Sequence, residues 1–262
     1  MGVWSVARSD VRGGVTDSPI IGFVIVTLLV TQMCLGIEYR LLASLSGCSV
    51  TFLTATRVSL SGSLANLLPV PGSLAVRIAH LRARGASAAQ ITRSTLAVAT
   101  VSLGAAATVV VPFISGPARV VCGCTAVFLM GCSWILTRHQ GLSTFGSLIA
   151  LQFVLLATDA VRIALVAAVL GIDLGPTGAI LMTLAPVLST AIGVAPAGLG
   201  LREGFSAALS SAAGLGASSA VTLSVIDTAV RSIMLGLCAA ALGMIRADTT
   251  TADQAPEHSV AA

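Results

Sequence analysis

The chain has 262 residues, 56% hydrophobic and only 9% charged, with a mean hydropathy of +1.00 and a net charge of +4. A soluble domain carries about 25% charged residues, so this chain cannot cover its surface against water, and a soluble fold is excluded. The basic residues are all Arg and sit between apolar runs without aromatic interleaving, which argues against a nucleic-acid surface and for topology-setting charge.

Aromatics make up only 4% of the chain, while 26 residues are Gly. Small residues let helix backbones approach closely where lipid supplies no hydrophobic drive. No Gly-x-y period suggests a fibrous protein. The six cysteines (Cys34, Cys48, Cys122, Cys124, Cys132, Cys238) form no C-x-x-C and read as small buried hydrophobes rather than disulfides or a zinc site.

A membrane-spanning helix needs about 20 apolar residues. After a polar segment, residues 1–17, the uncharged window Ser18–Ile37 gives a first span. Its rival is a signal peptide, but Met33-Cys34-Leu35-Gly36 leads into Glu38 and Arg40 with no Ala-x-Ala site. Thr51–Leu68 is weaker and carries Arg57; it must stop at Pro69-Val70-Pro71-Gly72, where the prolines remove backbone donors. Ala75–Gly85 follows as a short helix, with Arg77, His80 and Arg84 on one face in the pattern of an interfacial amphipathic helix.

Ser94–Ala118 (a span to Phe113), Val120–Thr137 and Phe145–Ile172 come next. Pro176–Leu201 is uncharged but interrupted by Pro186 and by Ala195-Pro196-Ala197-Gly198-Leu199-Gly200. Gly204–Ala213 is a short apolar helix, and Ala217–Ile245 is the last span. The expected fold is therefore an all-α polytopic bundle over 18–246 with about 6–8 spans. A polar tail over 247–262 is expected to be disordered. Arg77, Arg82, Arg84, Arg93, Arg138 and Arg202 favour the cytoplasm, with the N-terminus and its Arg8 and Arg12 on the same side. An odd count of about seven crossings then places the tail outside.

One design occurs twice, as a weak internal repeat. A hydrophobic helix ends at a Pro/Gly break, a short Arg-bearing helix follows, and Gly-Ala-Ser opens a long span. The breaks are Pro69, Pro71 and Gly72, and Pro196, Gly198 and Gly200; Arg77 and Arg202 each follow six residues after a proline, Pro71 or Pro196. Paired breaks in two halves point to a transporter-like site built on discontinuous or re-entrant helices. Each broken helix aims free N–H groups at anions, and Arg77 or Arg202 beside it can fork onto a phosphate. The alternative is a pair of ordinary turns near the membrane surface.

Charges inside spans mark a second pattern. Asp159 and Arg162 lie three apart, Asp227 and Arg231 four apart, so each pair can meet on one helix face. Ionisable groups inside spans are costly and face a bundle interior or a wet cavity. Two readings stand: intrahelical neutralisation, or contact of Arg162 or Arg231 with a lipid headgroup.

These motifs carry a family resemblance. Asn66-Leu67-Leu68-Pro69-Val70-Pro71-Gly72 with Arg77 and Arg82-Ala83-Arg84-Gly85 resembles an N-x-x-x-P-G break with its Arg-rich connector. Ala195-Pro196-Ala197-Gly198-Leu199-Gly200-Leu201-Arg202-Glu203-Gly204 resembles a P-x-G-x-G-x-R-E-G signature. Asp227 and Arg231 match recurrent positions of a last span. Both motifs resemble those of the lysylphosphatidylglycerol synthetase transmembrane family of flippase-like proteins, and the resemblance covers Glu38–Arg246. It implies a bundle with discontinuous helices that handles a lipid or lipid-linked headgroup, with Arg77, Arg162, Arg202, Glu203, Asp227 and Arg231 as candidate binding residues. No aminoacyltransferase domain follows Arg246 and no acidic residue follows Gly72, so a divergent member without synthetase activity is expected.

The expected function is binding or translocation of a phospholipid or lipid-linked headgroup in the cell membrane, by a multi-pass protein with no cofactor and no metal. The alternative is an accessory membrane subunit or enzyme acting on lipid-linked substrates, for example beside a glycosyltransferase. No Gly-x-Ser-x-Gly elbow, metal-ligand cluster or paired-carboxylate motif appears, which argues against an enzyme. No ATP-binding motif appears either, so transport would draw on a gradient or a partner.

Overall fold

The computed structural model describes residues 19–66, 72–192 and 200–250. The breaks at Pro69, Pro71, Pro196 and Gly198, the segment 1–17 and the tail past Thr250 lie outside the described residues. Among the described residues every regular element is helical. They are α1 (Pro19–Leu45), α2 (Phe52–Ala65), α3 (Gly72–Ala83), α4 (Ala88–Val110), α5 (Pro117–Thr137), α6 (Leu142–Val169), α7 (Pro176–Met182), α8 (Leu184–Ile192), α9 (Leu201–Leu209) and α10 (Ala217–Thr250).

Five of these helices are long and apolar enough to cross a membrane: α1, α4 with the 3-10 turn Val111–Phe113, α5 with the turn Arg138–Gln140, α6, and α10 as far as Ala241. Their outward faces are apolar; on α5, Val121, Val127, Phe128 and Ile135 are each more than half exposed. That surface suits lipid and not water, and the chain is a multi-pass helical membrane protein. The first span is longer than its uncharged window. α1 runs on to Leu45 because Tyr39, Leu42 and Ala43 bury their side chains against α2 and α3, carrying Glu38 into the bundle.

The two weaker apolar windows are helical hairpins rather than spans. α2 has 14 residues, about 21 Å of helix, short of the roughly 30 Å hydrocarbon core. It folds back on α3: a Cβ on Gly62 would lie 3.2 Å from Ser73 Cα, and a Cβ on Gly72 would overlap the Ala65 carbonyl. Gly72 is therefore a close-approach glycine, required by helix packing at the turn. Asn66 Oδ1 accepts from Ser73 N–H at 2.7 Å, satisfying a first-turn donor of α3 from the opposite arm.

α7, α8 and α9 make the second hairpin. A Cβ on Gly178 at its mouth would lie 2.6 Å from the Ala213 carbonyl oxygen, while Met182 shares a cavity lining with Arg202 and Ser206. The kink between α7 and α8 falls at Thr183. It follows from Pro186, which lacks the N–H that would bond the Met182 carbonyl. Gly200 opens α9 at φ 82°, a left-handed conformation that any side chain would strain.

Long helix, hairpin, long helix is thus the order twice over: α1, α2–α3, α4, then α6, α7–α9, α10, with α5 as the link. Matching turns fix the register. Left-handed Gly47 and Gly171, 124 residues apart, end α1 and α6; left-handed Gly85 and Gly214, 129 apart, precede α4 and α10. Gly85 thus corresponds to Gly214 and not to Gly216, so the Gly-Ala-Ser register read from the sequence is two residues out.

α1 and α6 run antiparallel, Glu38 beside Gln152 and Cys34 beside Leu151 and Leu155. The second half is therefore inverted relative to the first. Packing between the halves is reciprocal, α4 resting on α8 and α10 on α2.

The connectors sort to two ends. The α1–α2 turn, the α3–α4 turn and the end of α5 lie together, tied by Arg84 Nη1 to Ser49 O at 2.9 Å, Ser46 Oγ to Ser94 Oγ at 2.7 Å and Arg93 Nε to Leu136 O at 2.9 Å. Pro19 lies at the other end. Arg82, Arg84, Arg93 and Arg138 thus sit one crossing away from the start of α1, contrary to the common side expected for them and the N-terminus. The hairpin produces the reversal, because α3 returns the chain to the side from which α2 left.

Candidate functional site: a buried arginine–aspartate cluster

The second half carries a charged cluster inside the bundle. Arg162 of α6 is wholly buried (0% exposed) and Asp227 of α10 is nearly so (1%). Asp227 Oδ1 accepts from Arg162 Nε at 2.8 Å, and Oδ2 accepts from Arg162 Nη2 at 3.4 Å and from Arg202 Nη2 at 2.5 Å. One carboxylate therefore bridges two guanidiniums brought in by two different elements. Arg162 Nη1 also donates to Asp159 Oδ1 at 2.6 Å, one turn earlier on α6. Arg231, half-buried one turn beyond Asp227, lies in the same field. Three guanidiniums thus face two carboxylates, leaving one positive charge in excess.

α9 sets Arg202 in place. Gly200 supplies the left-handed residue before it, and Glu203 turns back so that its Oε2 accepts from Gly200 N–H at 2.6 Å. Glu203 therefore serves as a cap for the helix start, and the buried Arg202 beside it faces α10. Beside Asp227 lies a small cavity with room for a water molecule, lined by Ile163, Met182, Arg202, Ser206, Leu223, Ser224 and Asp227. Arg202 Nε, Ser206 Oγ and Ser224 Oγ are buried there with no hydrogen-bond partner among the described residues.

The first half carries the counterpart. Arg77 Nη1 donates to Glu38 Oε1 at 3.0 Å, and Gln152 Nε2 donates to Glu38 Oε2 at 2.9 Å. Tyr39 Oη and His80 Nδ1 share a hydrogen bond of 2.6 Å one turn further on. Arg77 and His80 thus look into the bundle, not along a membrane surface, because α3 is held beside α1 as a hairpin arm, while Arg84 past the end of α3 is exposed and reaches the Ser49 carbonyl. Gln152 and Arg162 lie ten residues apart on α6, so the two charged stations are separated by about 15 Å along its axis, on opposite sides of its middle.

The structure brings Arg162, Arg202, Asp227 and Arg231 together and holds Arg77 apart in the first station. Asp159 and Arg162 do meet on one helix, as their spacing suggests. Asp227, by contrast, finds its ion pairs on α6 and α9 and not on Arg231. Sequence reading missed Glu38, Gln152, Ser206 and Ser224. Glu38 was visible as a charge with Leu41-Leu42-Ala43 beyond it, a sign that the span continues; Ser206 and Ser224 carry no such signal. Of the cysteines, Cys34 and Cys48 are buried as expected, but Cys124 is exposed on the outer face of α5. Comparison of the chain with protein-family models, curated proteins and solved structures gave no significant match.

Proposed function

We propose that the protein binds the anionic headgroup of a membrane lipid, or of a lipid-linked precursor, and moves it between leaflets without covalent chemistry. One observation carries this reading: a surplus guanidinium charge with unsatisfied donors, buried at the inner end of a broken helix. Buried charge in a membrane is retained where it meets a substrate or its pathway, and helix ends inside a bundle are where transporters place their sites. The inverted halves and the second station about 15 Å away supply a geometry for alternating exposure of a headgroup to the two sides.

By the positive-inside rule the end bearing Arg82, Arg84, Arg93 and Arg138 faces the cytoplasm of a cell membrane. The Arg202 station then lies toward the outer leaflet and Arg77 toward the inner. The resemblance of these motifs to the lysylphosphatidylglycerol synthetase transmembrane family favours a phospholipid.

The test is translocation of fluorescent lipids with anionic, zwitterionic and cationic headgroups in proteoliposomes. Headgroup-selective transfer that Arg202→Ala abolishes is expected. Transfer of no lipid, with the protein correctly inserted, would overturn the reading in favour of an accessory subunit for a lipid-modifying enzyme.

A further inference from the structure

We infer that Asp227 occupies the place of a bound oxyanion: the second station is an oxyanion site closed on the protein's own carboxylate, which a tetrahedral anion opens by exchange. The inference rests on the headgroup reading for its physiological ligand, and its chemistry stands on the cluster itself. A carboxylate bridging two guanidiniums, bidentate to one of them, uses the donor pattern that arginine forks offer to phosphate. A carboxylate has only two oxygens, and both are spent on Arg162 and Arg202. Three donors remain beside them: Arg202 Nε, Ser206 Oγ and Ser224 Oγ. A phosphoryl group brings the further oxygens that these donors lack.

The two serines depart from the habit of their neighbours. Ser210 on the same turn-rich segment, and Thr228 and Ser232 on α10, return their hydroxyls to backbone carbonyls of the preceding turn at 2.7–2.8 Å. That is the ordinary way for a hydroxyl to be satisfied within a helix. Ser206 and Ser224, 1% and 4% exposed, make no such bond and line the cavity instead. The cavity holds no more than a water, so an entering oxyanion must displace the Asp227 carboxylate and ease α9 outward between its left-handed glycines, Gly200 and Gly214. One positive charge in excess suits a monoanion: the single charge of a phosphodiester, or dihydrogen phosphate.

The experiment uses the full chain in detergent at pH 6, where inorganic phosphate is mostly the monoanion. Thermal melting is followed against phosphate concentration, with chloride at equal ionic strength as baseline. Phosphate is expected to raise the melting temperature of the wild type, and Asp227→Asn to lower its half-saturating concentration at least tenfold. Ser206→Ala with Ser224→Ala, Asp227 intact, is expected to abolish the phosphate-specific shift while the protein still melts cooperatively. Should Asp227→Asn not fold, the serine variant decides alone.

A shift no larger than chloride's in wild type would overturn the inference. So would an unchanged or weakened phosphate response in Asp227→Asn, or a response indifferent to the two serines. A second arm substitutes dihexanoyl phosphatidylglycerol and dihexanoyl phosphatidylcholine, each below its micellar concentration. If the lipids act with the same variant dependence, the oxyanion is a headgroup phosphate. If only inorganic phosphate acts, the exchange site stands and the headgroup reading falls.

Discussion

Removing the Asp227 carboxylate is expected to destabilise the bundle more than any other single charge change. Arg162 is wholly buried and has three ion-pair contacts, two to Asp227 (2.8 and 3.4 Å) and one to Asp159 (2.6 Å). Asp227→Asn keeps the volume and one acceptor, but its amide N–H2 must face one of two guanidiniums, and the surplus charge doubles. Breaking a buried pair by deleting one partner costs about 3–5 kcal/mol. At roughly 2–4 °C per kcal/mol for a chain of this size, the melting temperature should fall by about 10 °C. Asp159→Asn is the internal control: its side chain is 17% exposed and makes one contact, so about 1–2 kcal/mol is expected. Adding Arg202→Gln to Asp227→Asn removes an orphaned guanidinium and should restore part of the loss. The measurement is cooperative melting of the purified protein in one detergent. The reasoning fails if Asp227→Asn costs no more than Asp159→Asn, or if Arg202→Gln deepens the loss.

Three further outcomes follow from the same geometry. Glu38→Gln keeps an acceptor for Gln152 but takes the charge from Arg77, which is partly solvated, so about 1.5–3 kcal/mol should be lost in the same melt, less than for Asp227→Asn. Gly200→Ala must hold a side chain at φ 82° and should cost about 1–2 kcal/mol. Gly204→Ala, within α9 and with no atom inside 4 Å of its new Cβ, should gain up to about 1 kcal/mol; equal signs for the two would contradict the left-handed turn. Finally, an alkaline phosphatase fused after Gly116 or Gly171 should be active outside the cell, and one fused after Gly85 or Gly141 inactive. Activity after Gly85 would mean that α2 crosses the membrane and that the first hairpin does not re-enter.

The sequence made the membrane character and most long helices legible because each span is apolar over its whole length, and lipid demands nothing subtler. Helices end and begin on either side of both Pro/Gly segments, where proline and glycine act locally. What the sequence hid is tertiary. Whether Phe52–Ala65 spans or folds back depends on how closely Gly62 and Gly72 let the arms approach, and a run of apolar letters reads the same either way. The Asp227 pairing is hidden because spacing reveals only same-helix neighbours such as Arg231, whereas Arg162 and Arg202 lie 65 and 25 residues away. Ser206 and Ser224 were invisible because a helix offers every serine a carbonyl, and only the structure shows which ones decline it.

The asymmetry between the inverted halves says where the chemistry sits. At the register fixed by Gly47 and Gly171, Glu38 and Arg162 are counterparts, again 124 residues apart; Arg77 and Arg202 are counterparts through the hairpins. The first half therefore pairs an acid on its long helix with an arginine on its arm, a pair neutral within itself. The second half has an arginine at both positions and needs a carboxylate from a third helix. Asp227 supplies it, while the position 129 residues earlier on α4 is Val98, buried and apolar. Mere neutralisation of Arg202 would have needed only an acid at position 162, as in the first half. The charge swap instead creates a surplus and then covers it with a carboxylate that also faces unsatisfied hydroxyls. A closed structural pair has no use for those hydroxyls, whereas a site that exchanges one anion for another does.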